Sequence, residues 1–567
     1  MYYDHLFQML GYEIEEIRQE APRIEKVLAK LKVDNEEAIK HCEEVTQRSF
    51  DVSLQGVRGM LRVYLQETLD YCLAGEEREL VVHIIRPAGG IEAQLLTEVE
   101  KGTGGKIWAR SSIQGVQIVL GNVFDVINPL IEIGEKLGQS AGRGHCSEYQ
   151  IYAGALDQGI LPVPDVSLCT GYFCDQSPIA DQLLAEMFGY ETIEVDGSLA
   201  FQWEEWPNFD PRNVEYPANC YKRAFAELEE KYGVKVTEEH VVAATNNQGA
   251  LAMAYMTLAR TMFKADPQPI SQADMALAFY LYAANPIYLD QTIAAFKVLA
   301  KEIRQRVKDG VGVVPKGAPR VFVTLRHITD MAPIKLIEEL GLAVPFMMMD
   351  AIHPGQMAPS GFPDDPWARM MEAYYRVPHF SDQRGVLDWW QHWAETFDMD
   401  GWIHLNPIMC RPWASPALMS RKNFRDRGVD MPYLYLEADG WDTRFYSAGA
   451  MRTRVESFAE ILRMQKEAKL AEQTKGSGTE EEETGPIALP DSWIQAAVAM
   501  GLNLETTADL TLEMMAGVGT VAPQLLQDLT PEMLLSLEPD SVAVLPKDYL
   551  DSLDPELKKK LSARATS

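Results

Sequence analysis

Apolar residues recur at steps of three and four from Ile14 to Leu31 and again from Val52 to Cys72. This spacing predicts amphipathic helices in a mainly helical N-terminal region, 1–120. Gly89, Gly90, Gly102, Gly104 and Gly105 interrupt the pattern. GTGGK at 102–106 lacks the spacing and terminal Ser or Thr of a phosphate loop and carries no weight as a nucleotide site. From about residue 122, helical and strand periods alternate. LPVPDVSLC reads as a buried strand entered from a proline turn, SPIADQLLAEMFG as a helix closing on Gly189, and YETIEVDG as a strand. Strand, helix, strand at this spacing predicts a parallel sheet in a first α/β domain, 121–310. Residues 220–310 of it read as mainly helical, with a break at Pro267 and Pro269.

The alternation resumes after VGVVPKGAPR. RVFVTLR reads as a strand, PIKLIEELG as a helix, AVPFMMMD, GWIHLNPIMC and MPYLYLEAD as strands, and MRTRVESFAEILRMQKEA as a long amphipathic helix. These make a second α/β domain, 311–475, similar in style to the first but too different in sequence to count as a repeat. GSGTEEEETGP opens an acidic linker, 476–488. Residues 489–567 read as a small helical extension. Thr530-Pro531-Glu532 and Asp554-Pro555-Glu556 each have the cap, proline and acid of a helix start. From Gly476 onward 16 acidic and 5 basic residues give a net −11, which suits a docking appendage better than a catalytic unit. The expected fold class is α/β: two parallel-sheet, flavodoxin-like domains, a helical N-terminal region and a small acidic helical C-terminal appendage.

Composition narrows the partners. The 567 residues include 52 Lys and Arg against 83 Asp and Glu, a formal charge of −31, with 47% apolar residues. One hydrophobic core does not serve a chain of this length. The charge argues against nonspecific binding to nucleic acid or an anionic membrane, although a pocket answers to local charge. The opening residues, MYYDHLFQMLGYEIEEIRQE, form no apolar signal region, and no run approaches the roughly 20 apolar residues of a membrane span. Seven cysteines are too few, and odd in number, for a disulfide scaffold. A reducing, cytoplasmic compartment is the expectation.

Three cysteines stand out by setting. Cys146 lies in RGHCSEY between a glycine turn and a helix start, Cys174 in the loop after a predicted strand, and Cys410 just beyond another strand. Carboxyl ends of parallel strands are where open α/β sheets bind ligands. Three thiolates suit an iron–sulfur cluster with one iron open, or zinc with a water, while ordinary buried cysteines stay an alternative. Cys169 points to a strand interior, and Cys42, Cys72 and Cys220 read as structural. Asp175 is placed to accept backbone hydrogens in the Cys174 loop. Arg143, Arg326 and Arg411 flank strand ends and either bind an anion or anchor the sheet. His404 reads as a packing residue. Arg452, Arg454 and Glu456 share a helix start, and Arg452 and Glu456, four apart, are expected to pair as bracing. WARMMEAYYRVPHF reads as core or subunit interface, and nothing interleaves aromatic and basic residues as nucleic-acid binding requires.

Read together, the residues around these cysteines resemble the 2-hydroxyacyl-CoA dehydratase and ATP-dependent benzoyl-CoA reductase superfamily. The resemblance rests on Cys146-Ser147, the PxPD turn at 162–165, Cys174-Asp175, DGWIHLNPIMCRPW, MPYLYLEADGWDTRFYSAGAMRTRVESFAEIL and YGVKVTEEHVVAATNN, over roughly 120–470. It implies a [4Fe-4S] cluster on Cys146, Cys174 and Cys410, bound between two α/β domains. It also implies an acyl-CoA substrate, a related second subunit and a separate ATP-hydrolysing iron–sulfur activator that donates one electron. In the dehydratases that electron makes a ketyl radical anion, which expels the 2-hydroxyl, and is then recovered; such chemistry is oxygen-sensitive. His145, beside the first ligand, is the candidate catalytic residue, as proton donor or tuner of the cluster, with a turn cap as the alternative. A lyase of this type is expected. A reductase-type subunit that leaves electrons in the product, or a non-catalytic electron-relay or scaffolding subunit, would show the same three cysteines. The long helical N-terminus and the acidic tail depart from the usual family subunit.

Overall fold

The computed structural model describes residues 1–85, 91–111, 114–139, 145–171, 174, 176–197, 206–284, 287–324, 329–347, 360–376, 383–410, 422, 424–429 and 431–476. Beyond these it describes 488–490, 492–493, 506–507, 510, 523–537, 541–542 and 545–565. The chain forms two compact units, Met1–Ala468 and Lys469–Ser567.

The first unit opens on four helices, α1 Asp4–Met9, α2 Ile14–Leu31, α3 Glu36–Ser49 and α4 Gln55–Glu77. Glu13 and Glu16 form a capping box at the head of α2, whose buried stripe is Ile17, Ile24, Val27, Leu28 and Leu31. Asn35 caps α3 by accepting the Ala38 N–H. A parallel sheet follows, built from β1 Leu80–Ile85, β2 Ile107–Ser111, β3 Val166–Thr170 and β4 Glu191–Val195, in the order β2-β1-β3-β4. Between these strands run α5 Ile91–Gly102, α6 Gln114–Asn122, α7 Ile127–Lys136, α8 Ser147–Asp157 and α9 Gln176–Phe188. β1 and β2 come from the region read above as helical. LVVHII follows α4 with only Arg78-Glu79 between them, and its one polar residue, His83, is buried, so the strand shows no alternation.

Four helices, α10 Pro211–Tyr232, α11 Glu238–Phe263, α12 Gln272–Ala284 and α13 Leu289–Lys308, lead to a second parallel sheet. It contains β5 Val321–Val323, β6 Gly401–Pro407 and β7 Tyr433–Ala438 in the order β5-β6-β7. Parallel bridges Arg320↔Ala343 and Val323↔Met347 extend it on the free edge of β5. By chain order, then, both sheets run second, first, third, fourth. Around the second sheet lie α14 Ala332–Glu339, α15 Pro366–Tyr375, α16 Gln383–Thr396 and α17 Ala448–Gly476. α15, the head of the aromatic-rich stretch, buries Trp367, Met370, Met371, Tyr374 and Tyr375 in the core.

The second unit has its own apolar core, including Leu489, Trp493, Leu526, Leu534 and Leu561. Its helices α18 Pro531–Ser536 and α20 Pro555–Ala565 flank α19 Lys547–Ser552. Thr530 caps α18 by accepting the Met533 N–H, and Asp554 accepts the Glu556 and Leu557 N–H groups at the head of α20. The linker 476–488 lies outside the described residues except at its two ends. Among the described residues no single helix is long and apolar enough to cross a membrane.

Candidate metal centre

Cys146 is the N-cap of α8. Its backbone is extended, and its carbonyl accepts the Tyr149 N–H at 3.0 Å and the Gln150 N–H at 3.3 Å. The first ten residues of α8 are buried. This depth requires glycine on both sides of the contact with α7. A Cβ added at Gly154 would stand 2.2 Å from the Leu130 carbonyl oxygen, and one at Gly134 would stand 2.2 Å from that of Gln150. The two backbones therefore touch, which fixes where Cys146 emerges. The Cys146 sulfur sits at the positive end of the α8 dipole, where negative charge is favoured.

Cys174 and Cys410 are half-exposed, each just past the third strand of its sheet. The Cys174 carbonyl accepts the Ser177 N–H at 3.3 Å as α9 begins, and the Cys410 N–H turns back to the Pro407 carbonyl at 2.9 Å. Two hydrogen bonds gather these segments. The Tyr149 hydroxyl donates to Ser177 Oγ at 2.6 Å, tying α8 to α9. Gln176 Nε2 donates to the Met409 carbonyl at 3.4 Å, tying the Cys174 loop to the Cys410 loop. The Ser147 hydroxyl lies within electrostatic reach of buried Asp439, one residue past β7, although neither Ser147 Oγ nor Asp439 Oδ2 closes a hydrogen bond. The segments carrying Cys146, Cys174 and Cys410 are thus linked through both sheets.

A second brace lies alongside. Trp441 Nε1 donates to Gln117 Oε1 at 2.7 Å, and Gln117 Nε2 donates to the Glu148 carbonyl at 3.3 Å. Asp439 Oδ1 accepts the Trp441 and Asp442 N–H groups at 3.0 and 2.9 Å. Burial raises the Asp439 pKa above the usual carboxylate range, and these two N–H groups offset part of the rise. His145 is half-buried, and its Nδ1 donates to Gln139 Oε1 at 2.5 Å, which fixes the ring beside Cys146.

Among the described residues no three His, Cys, Asp or Glu side chains form a group that could hold a metal ion, so Cys146, Cys174 and Cys410 are not gathered into a ligand set. Three thiols are donors of the kind a thiolate-bound group takes, and they lie on segments that hydrogen bonds join. Ser147 Oγ, both polar ends of Gln150, Gln139 Nε2, Gln176 Oε1 and Asp439 Oδ2 are buried without a hydrogen-bond partner. Those on Ser147, Gln150 and Gln176 lie on the segments that carry Cys146 and Cys174, where ordered water or a ligand would satisfy them. Cys169 differs. It is buried within β3, and burial, then Asp181, Glu194 and Cys174, raise its thiol pKa well above the ordinary value. A thiol held protonated is a poor metal ligand.

The remaining candidates divide. His404 is buried on β6 among Trp390, Trp402, Tyr433 and Tyr435, and burial pushes its pKa down to about 3, so it packs as neutral imidazole. Arg452 pairs with Glu339 at 3.0 Å and Glu456 at 3.6 Å, bracing α17 against α14. Arg454 donates to the Tyr435 carbonyl. Cys42, Cys72 and Cys220 are buried in α3, α4 and α10. Arg143, Asp175, Arg326 and Arg411 lie outside the described residues. Gln117, Gln139 and Asp439 were not singled out from sequence. Asp439 alone had a local signal, an Asp-Gly-Trp-Asp turn directly after a strand.

The (R)-2-hydroxyglutaryl-CoA dehydratase subunit alpha of Acidaminococcus fermentans (strain ATCC 25085) is 24% identical over 321 residues, 55% of this chain. The chain spans 63% of that relative's length. A solved structure, CalG4, the calicheamicin glycosyltransferase, aligns at 12% identity with 70% of this chain and 98% of its own, but a TM-score of 0.15 makes the likeness too slight to bear on the fold. The 2-hydroxyglutaryl-CoA dehydratase, D-component, family matches residues 131–462, more than half of the chain and a span that contains Cys146, Cys174 and Cys410, and the chain belongs to that family.

Proposed function

We propose that this chain is the iron–sulfur subunit of an enzyme that dehydrates an (R)-2-hydroxyacyl-CoA to the 2-enoyl-CoA, with a [4Fe-4S] cluster on Cys146, Cys174 and Cys410. The observation that supports it most is that hydrogen bonds tie α8 to α9 and the Cys174 loop to the Cys410 loop, joining three cysteine-bearing segments from two sheets. A cluster held there would supply one-electron transfer and a Lewis-acidic iron.

The chain's own residues supply geometry and protons. The α7–α8 glycine contact sets the depth of Cys146, and the Tyr149–Ser177 bond sets its distance from Cys174. His145, its Nδ1–H held by Gln139, would act through Nε2 at the edge of the site, and as the imidazolium it would give that nitrogen's proton to a departing hydroxyl. The buried length of α8 keeps bulk water from the inner side. The same second, first, third, fourth order in both sheets supports flavodoxin-like domains. A related second subunit, an ATP-hydrolysing activator and an oxygen-free cytoplasm belong to this reading.

The test is iron and acid-labile sulfide content, with EPR, on anaerobically purified protein, followed by turnover of 2-hydroxyacyl-CoA with partner and activator. About four iron and four sulfide per chain, lost in Cys146→Ala, Cys174→Ala and Cys410→Ala, are expected. Zinc, or no metal under strict anaerobiosis, would overturn the reading. Electrons retained in the product would assign a reductase, and an intact cluster without acyl-CoA binding would assign an electron relay.

A further inference from the structure

Polar rings from three elements meet inside the first unit. The His83 ring, on β1, has its centroid 4.5 Å from that of Tyr152 on α8 and 6.0 Å from that of Tyr71 on α4. It is tilted by 39° from the first and 41° from the second, so the three rings do not lie flush. All three residues are at most 3% exposed. Buried polar groups of this kind normally have hydrogen-bond partners. Yet both His83 nitrogens and the Tyr71 and Tyr152 hydroxyls close no hydrogen bond among the described residues. The two hydroxyls are close together, since each shifts the ionisation of the other.

The polar groups beside them are already engaged. Ser167, the register partner of His83 on β3, donates to Asp181 at 2.5 Å, and the Tyr190 hydroxyl donates to the same carboxylate at 2.8 Å. Burial alone pushes the His83 pKa down to about 3. The ring is therefore neutral, with one nitrogen as donor and the other as acceptor.

We propose that ordered water is bound inside the first unit at this place, donating to the bare nitrogen of His83 and accepting from the hydroxyls of Tyr71 and Tyr152. Water fits the chemistry because it is small, neutral, and donates and accepts at once. Buried waters make about three hydrogen bonds to groups that otherwise lack partners. An ion fits poorly, because burial this deep penalises charge. The water completes the joint of α4, β1 and α8, and so helps to seat the helix that Cys146 heads. Its place is independent of the cysteines and of the reaction proposed above.

A high-resolution crystal structure of the full chain tests this, together with the thermal stability of Tyr71→Phe and Tyr152→Phe. A water peak is expected within about 2.5–3.2 Å of a His83 nitrogen and of the Tyr71 or Tyr152 hydroxyl. A well-resolved interior without that peak overturns the proposal. Both variants keep the ring and lose only the hydroxyl oxygen. A hydroxyl bonded to water stabilises the fold, so its removal is expected to lower Tm. A dry, unpaired hydroxyl destabilises the fold, so a higher Tm in both variants overturns the proposal as well.

Discussion

Burial and neighbouring carboxylates hold the Cys169 thiol protonated inside β3, whereas Cys174, five residues on, stands half-exposed beyond the strand's end. Cys169→Ala is therefore expected to keep its iron and Cys174→Ala to lose it, measured by metal content after anaerobic purification. Equal loss in both would exchange their roles. The setting of Cys146, Cys174 and Cys410 was legible in the sequence because each follows a recognisable turn or strand. Gln117 was not, because its work depends on Trp441, 324 residues away. Spacing along the chain carries no trace of such a contact.

At the scale of elements, the α7–α8 contact and a buried acidic joint make measurable claims. Gly154→Ala forces the two helix backbones apart, and a loss of roughly 1–3 kcal/mol is expected in denaturant titration. Iron retention should fall with it, because Cys146 rides on α8. Tyr149→Phe removes the bond to Ser177 and should cost about 1 kcal/mol. The joint consists of Asp274, Glu338 and Asp51, where α12 meets α14 and the chain before α4. Burial raises the Asp274 pKa to about 7 and the Glu338 pKa in the same direction, while Asp274 accepts the Asp51 N–H at 2.9 Å. The folded state thus binds protons that the unfolded chain has released. This stability is full below the ordinary carboxylate range and is lost as pH rises through about 7. Tm is expected to fall between pH 5 and 8, and Asp274→Asn, which keeps the acceptor, should flatten that fall; an unchanged slope would refute it. Most helices here were legible from period and caps, such as Thr530 and Asp554. The two missed strands were not, since a fully buried strand beside a long helix lacks any alternation to read.

For the whole molecule, the separate cores of Met1–Ala468 and Lys469–Ser567 make the tail dispensable to the thiol site. A chain ending at Gly476 is expected to keep its iron and its main unfolding transition, by metal analysis and calorimetry. Loss of iron on truncation would instead give the tail a part in the site. The likeness of the two sheets escaped the sequence because it resides in strand order rather than in residue identity. It also has a mechanical meaning. Each sheet offers one cysteine just past its third strand, so a ligand gripped by both works as a clasp between the halves of the first unit. Anything that binds only the closed form stabilises it by mass action. Loaded protein should then melt as one body, and stripped protein should let one half unfold before the other.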